Sequence, residues 1–192
     1  PSAPYAIIDV TYLAHPVKQF LTRLATLPFE ILDRIGNFYS LILACFLPTR
    51  RHLWLERQSR KNDQITETVF HKSASGELRL TLFTPNWLCW DRSRTFSVKE
   101  PETLSWIDEF GGAGSLFDIG ANVGLYSLYY AGTKPGNVYA FEPSVFNLPI
   151  LVKNVSINNL QSRVSIIPLP LTEENKISNF RLTNTDAGAA SS

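Results

Sequence analysis

The chain has 192 residues, of which 44% are hydrophobic, 18% charged and 12% aromatic. This is an ordinary globular composition, and it excludes disorder, collagen-like repeats and a disulfide scaffold. Lys and Arg number 18 against 17 Asp and Glu, a formal net charge of +1, so whole-chain charge gives no reason to expect nucleic acid as a partner.

From His15 to Lys61 the pattern is helical, in three pieces set off by Pro16, Pro28 and Pro48. Val17, Phe20, Leu21, Leu24 and Leu27 mark the first. In the second, Ile31, Leu32, Ile35, Phe38, Tyr39, Ile42, Leu43 and Phe46 recur at three and four residues, which predicts an apolar stripe that must dock on something. The run FYSLILACFL is ten residues long, whereas a bilayer needs about 20, and Glu30, Asp33 and Arg34 precede it, so no transmembrane segment is expected. The third piece carries Arg50, Arg51, Arg57, Arg60 and Lys61 against Glu56, and reads as a solvated helix face or linker.

The period then changes to two. Thr66 to His71 and Glu77 to Thr84 predict two strands of a hairpin, with Leu78, Leu80 and Leu82 on one face and Arg79 and Thr81 on the other. The stretch PNWLCWD reads as a loop whose Trp87 and Trp90 pack rather than line an acceptor entrance. Pro101 opens a short helix with Leu104, Ile107 and Phe110 facing inward, and the glycines at 111–114 end it. From Ser115 the chain alternates: SLFDIG as a buried strand, a helix, NVYAFEP as a strand, a helix entered at Pro149, and RVSIIPL as a strand. Alternation of this kind gives parallel strands.

Cys45 and Cys89 lie in apolar surroundings with no Cys or His nearby at metal-ligand spacing. They read as buried, reduced thiols of a cytoplasmic protein without a metal site. His15, His52 and His71 all precede the loop described next and read as structural or surface residues, so no catalytic base is assigned.

The informative stretch is FDIGANVGLYS. A strand ends at Asp118 and Ile119, Gly120 and Gly124 let the backbone approach a ligand, and the next helix aims its unpaired N–H groups at the same place. Glu142 follows Gly120 by 22 residues, at the end of the next strand, where a carboxylate can accept both hydroxyls of a ribose. A dinucleotide fingerprint needs further glycines where Asn122 and Leu125 stand, and no Gly-Lys-Ser/Thr follows the turn. A nucleoside without a pyrophosphate fits best.

The segments KEPETLSWIDEF, FDIGANVGLYSLYYA, VYAFEPSVFNLPILVKNVSINNL and RVSIIPLPLTE together resemble the FkbM-like family of S-adenosylmethionine-dependent methyltransferases, over residues 98–192. The resemblance implies a Rossmann-like α/β domain with a parallel sheet, of the class I methyltransferase kind. It implies S-adenosyl-L-methionine as cofactor and O-methylation of a hydroxyl on a sugar or natural product. By the same resemblance Asp118 lies near the amino acid moiety, and Gly120, Ala121, Asn122 and Gly124 form the cofactor loop. Glu142 holds the ribose, and Pro170 and Leu171 border the adenine, although many relatives have alanine where Leu171 stands. The family domain continues through further strands, so the chain, which starts at Pro1 and lacks methionine, reads as a fragment truncated after three core strands.

Three regions follow: helices over 1–62, a β-hairpin extension over 63–97, and the N-terminal half of the Rossmann-like domain over 98–192. The N-terminal helices fit a cover over the acceptor pocket, packing on the sheet, or self-association, and the sequence leaves all three open. An NAD(P)-dependent oxidoreductase and a non-catalytic binding module are the alternative functions.

Overall fold

The computed structural model describes residues 15–46, 52–73, 75–174 and 184–189. The chain divides into two compact units, Pro1–Lys61 and Asn62–Ser192.

The first unit holds α1 (His15–Phe46) and most of α2 (Leu53–Asn62). The break expected at Pro28 is absent, and α1 is a single helix of 32 residues with Pro28 inside it. One proline removes one main-chain donor, at a cost of about 3 kcal/mol. The helix continues because no glycine or turn signal accompanies Pro28 and the apolar repeat runs on unbroken to Ile31 and Ile35. Pro48, Arg50 and Arg51 lie outside the described residues.

A tryptophan fastens α2 to α1. The Trp54 ring lies against Gly36, where an added Cβ would sit 2.0 Å from it. Its main-chain N–H donates to Ser40 Oγ at 3.0 Å and its indole N–H to Asp33 Oδ1 at 3.1 Å. Gly36 is thus required by the close approach of the ring.

The second unit begins with a hairpin of β1 (Thr66–Ser73) and β2 (Gly76–Phe83), paired antiparallel from Thr66 with Phe83 to Ser73 with Gly76. The period-two reading holds: Leu80 and Leu82 are buried and Leu78 packs beside them, while Arg79 is exposed. These leucines share one core with Leu104, Ile107, Leu128, Tyr129, Val138 and Leu151, so the hairpin is packed into this unit. Each fully buried leucine contributes about 1.5 to 3 kcal/mol.

Asn86 caps α3 (Trp87–Thr95), its side chain accepting from the Cys89 N–H at 2.9 Å. This helix replaces the loop expected over PNWLCWD. The signal was a short polar N-cap after Pro85, outweighed in the sequence by the lack of apolar periodicity. Trp87 remains exposed and stacks on Trp90, with ring centroids 4.7 Å apart. In α4 (Pro101–Phe110) Leu104 and Ile107 face the core, but Phe110 is exposed at the last turn, a departure from the expected inward face.

Three parallel strands follow in spatial order, β3 (Leu116–Ile119), β4 (Val138–Phe141) and β5 (Val164–Ile167), joined through α5 (Leu125–Thr133) and α6 (Leu148–Ile157). The protein is therefore a mixed α/β chain with a small parallel sheet. β3 is not the fully buried strand expected: Phe117 and Ile119 are exposed, at 59% and 65%. Among the described residues the core gathers on the other face, and Phe117 instead stacks on Tyr139 and Phe141 along its own face.

Two asparagines of α6 tie the hairpin to the rest. Asn158 accepts from the Thr81 N–H at 2.9 Å and donates to the Thr81 carbonyl at 2.7 Å. Asn154, 1% exposed, accepts from the Phe83 N–H at 2.7 Å and donates to the Val123 carbonyl at 2.9 Å. Side-chain amides here satisfy main-chain groups on the open edge of β2. Asn154→Ala leaves one buried donor and one buried acceptor unpaired, and it is expected to lower stability by about 2 to 4 kcal/mol in urea unfolding.

The cysteines differ from each other. Cys89 is buried as expected, and burial pushes its thiol up to about 11 against the opposing pull of Arg92. Cys45 is exposed, contrary to expectation, because its apolar neighbours on α1 are themselves exposed. One thiol is therefore expected to react rapidly with a disulfide reagent at mildly alkaline pH, and Cys45→Ser to abolish that fast phase.

Candidate functional site

The site is built at the carboxyl ends of β3 and β4. Between β3 and α5 the chain bends through three left-handed residues, Gly120 (φ 80°), Asn122 (φ 52°) and Gly124 (φ 89°). The N–H groups of Gly120 and Ala121 both donate to the Phe141 carbonyl at 2.9 Å, which carries β3 over the end of β4. The two glycines serve different ends. A Cβ on Gly120 would meet nothing within 4 Å, so the backbone there faces open space, whereas one on Gly124 would lie 2.4 Å from Leu151 Cδ1. Gly124 is a packing glycine against α6, and Gly120 is the one that opens a cleft.

Glu142, the residue after β4, is 5% exposed. Its Oε2 accepts the Asn122 N–H at 2.7 Å, and its Oε1 accepts the Ser144 N–H at 2.8 Å and the Asn147 side-chain amide at 3.4 Å. A carboxylate offers about four acceptor positions, and the protein fills three. The expectation that Glu142 can take two further hydroxyls is corrected to one, because the loop it supports has claimed the rest.

A cleft of about 210 Å³ is bordered by Ile119, Gly120, Asn122, Phe141, Glu142, Pro143, Asn147, Leu169, Pro170 and Leu171. Of the residues singled out in the sequence, Gly120, Asn122, Glu142, Pro170 and Leu171 meet here. Ala121 borders a second, smaller cavity of about 50 Å³, together with Arg92, Lys99, Glu100, Asn122 and Tyr126. Asn122 borders both cavities, and its buried Oδ1 has no partner. Asp118 and Gly124 border neither.

Asp118 is held by the Ser127 hydroxyl, which donates to its Oδ2 at 2.6 Å. Burial raises its carboxyl above the ordinary value of 3.8; the Ser127 bonds oppose the rise and the nearby Glu142 charge adds to it. Tyr126 donates to Glu100 at 2.6 Å, and burial, followed by that bond, raises its phenol. Tyr129 and Tyr130 are buried, and the Tyr130 hydroxyl shares its one proton between the carbonyls of Gly112 and Gly114, at 2.9 and 2.8 Å. Both tyrosines are packing residues. His71 is likewise structural, its Nδ1 2.9 Å from Ser97 Oγ and its ring edge-on to Phe96 and Tyr129.

Two participants were not legible in the sequence. Asn147 lies five residues beyond Glu142 and is 2% exposed. The segment 184–189 comes from far along the chain: the Gly188 N–H donates to Asn147 Oδ1 at 2.8 Å, and the Ala189 carbonyl accepts from the side chains of Asn122 at 2.8 Å and Asn147 at 3.2 Å. Asn86 holds the Ala187 carbonyl at 2.9 Å, and Arg92 Nε donates to the Gly188 carbonyl. An isolated Asn carries no motif, and DAGAA has no periodicity.

No family model matches the chain, and no curated protein matches it. Among solved structures, a Pyrococcus horikoshii protein provisionally named a transferase is similar over 54% of this chain and 36% of its own, at 18% identity and a TM-score of 0.31. Trm5 of Methanocaldococcus jannaschii, solved with adenosine, is similar over 56% of this chain and 31% of its own, at 20% identity and a TM-score of 0.29. The chain spans about a third of the length of either, and likeness this slight assigns neither a family nor an activity.

Because the Asp118 carboxyl sits above its unfolded value, the folded state holds more protons, and stability falls as pH rises from about 3.8 through the folded value. Asp118→Asn keeps an acceptor for Ser127 and removes that charge. Its thermal midpoint is expected to exceed that of the wild type at neutral pH, with the gap closing toward pH 4 in a melting series.

Proposed function

We propose that the second unit binds S-adenosyl-L-methionine and belongs to a methyltransferase of Rossmann-like fold, acting on a hydroxyl of a sugar or natural product. The observation that carries the reading is the meeting of Gly120, Asn122, Glu142, Pro170 and Leu171 around one cleft at the ends of parallel strands. Open sheets of this kind take their ligands at such an edge.

Charge supports the choice of nucleoside. The cleft is bordered by Glu142, whose charge acts on the nearby Asp118, and among the described residues no Lys or Arg lines it. A pyrophosphate would meet like charge there, whereas an adenosine joined to a sulfonium is cationic at the joint. This disfavours the dinucleotide reading on grounds independent of the missing glycines.

The residues fit the cofactor. Gly120 leaves room for a ribose to lie against the backbone. Glu142 retains one acceptor position for a sugar hydroxyl, in a charge-assisted bond worth about 1.5 to 3 kcal/mol. Pro170 and Leu171 present apolar surface to a purine. The small cavity, which Asn122 also borders, is lined by Arg92, Lys99 and Glu100, charges of the kind that recognise an amino acid zwitterion. The cofactor, when bound, supplies an activated methyl group. The chain's part is to hold that group in line with the acceptor oxygen and to keep the loop rigid while it does so.

Glu142→Ala is expected to weaken S-adenosylmethionine binding at least tenfold by calorimetry, with NAD giving no heat on the wild type. An unchanged affinity removes the ribose role, and tight NAD binding removes the whole reading. Glu142→Gln keeps an acceptor for the Asn122 N–H but turns its amide NH2 toward the Ser144 N–H and the Asn147 amide, so it loses the charge and part of the support, and it is expected to fall between the wild type and Glu142→Ala.

A further inference from the structure

We infer that α1 is an in-plane membrane anchor, whose apolar stripe lies in the interface of an anionic bilayer. Phe20, Leu24, Ile31, Ile35, Phe38 and Ile42 lie along one side of the helix and are all exposed, from 45% at Ile42 to 65% at Phe38. At 100° per residue the stripe around them spans roughly 160° of the circumference, and the helix is about 48 Å long. No helix among the described residues is long and apolar enough to cross a membrane, so such a face can enter lipid only lengthwise.

The placement of α2 leaves the stripe open. Trp54 meets α1 at Asp33, Gly36 and Ser40, roughly 165° around the helix from the centre of the stripe. The small partner helix therefore covers the polar side. It also adds charge there, because Arg57, Arg60 and Lys61 are exposed.

The charge layout selects the occupant. On α1, Arg23 and Arg34 stand at one border of the stripe, where a long cationic side chain can reach phosphate headgroups while the stripe is buried. Of the acids, Asp33 accepts from the Trp54 indole and Glu56 is paired with Arg60 at 3.0 Å, while Glu30 stands beside the two arginines and leaves that border net positive. Arg50 and Arg51 add two more cations in the sequence between the helices. A net-positive helix pair repels a second copy of itself and is drawn to anionic lipid. A stripe this wide also exceeds the seam that one partner helix covers, whereas a bilayer surface covers all of it.

The test is co-sedimentation of the full chain with vesicles of phosphatidylcholine and phosphatidylglycerol at three to one, beside vesicles of phosphatidylcholine alone. The wild type is expected to partition onto the anionic vesicles. Leu24→Glu with Ile35→Glu, both on the exposed face, is expected to weaken that partition at least tenfold with unchanged far-ultraviolet circular dichroism. Arg34→Glu with Arg57→Glu is expected to weaken it severalfold on anionic vesicles and to leave the neutral ones unaffected. Wild type that stays in the supernatant, or a double glutamate variant that binds as well as the wild type, overturns the inference. So does a concentration-dependent dimer in the absence of lipid that Leu24→Glu with Ile35→Glu disperses, since the stripe then belongs to a second copy.

Discussion

The second unit turns on one buried carboxylate. Glu142 takes main-chain N–H groups from both sides, Asn122 in the bend after β3 and Ser144 in the bend after β4, so a single side chain fixes two neighbouring loops. A carboxylate so deeply buried is costly unless it is hydrogen-bonded, and each charge-assisted bond returns about 1.5 to 3 kcal/mol. The left-handed conformation of Asn122 depends on the same bond: a non-glycine residue at φ 52° persists where its surroundings hold it. The cleft exists because that bend is held open.

Around this centre the structure repeatedly uses side-chain amides where main chain would be left unpaired. Asn154 and Asn158 serve the free edge of β2, Asn86 begins α3 and holds Ala187, and Asn147 joins Glu142 to the segment ending at Ala189. Each replaces a strand or helix partner that the small sheet does not supply. The hairpin is thereby joined to the loop between β3 and α5 through α6, since Asn154 touches both Phe83 and Val123. Binding and stability in this unit are expressed through shared groups, and a change at α6 is felt at the loop.

The two units solve opposite problems. The second buries its leucines against helices and gathers its candidate site residues at the ends of two parallel strands. The first leaves an apolar stripe open and arranges its cations along the border and on the attached helix. A single glycine, Gly36, makes that arrangement work by admitting the Trp54 ring against the side of α1 away from the stripe.

The sequence by itself determined the local elements whose signals are local. The alternation at Leu78, Leu80 and Leu82 gave the hairpin, Pro101 gave the start of α4, and Gly120 with Glu142 at two successive strand ends gave the cleft. Those signals depend on backbone sterics and side-chain period, which neighbours along the chain decide. Tertiary structure alone decided that Pro28 is carried inside a helix, that Phe117, Ile119 and Cys45 are exposed, and that Gly124 serves packing while Gly120 serves the cleft. It also brought Asn147 and residues 186–189 to the site and left Glu142 a single acceptor position. Each of these depends on what lies across space from a residue, and hydrogen-bond capacity and burial are set by partners remote in sequence.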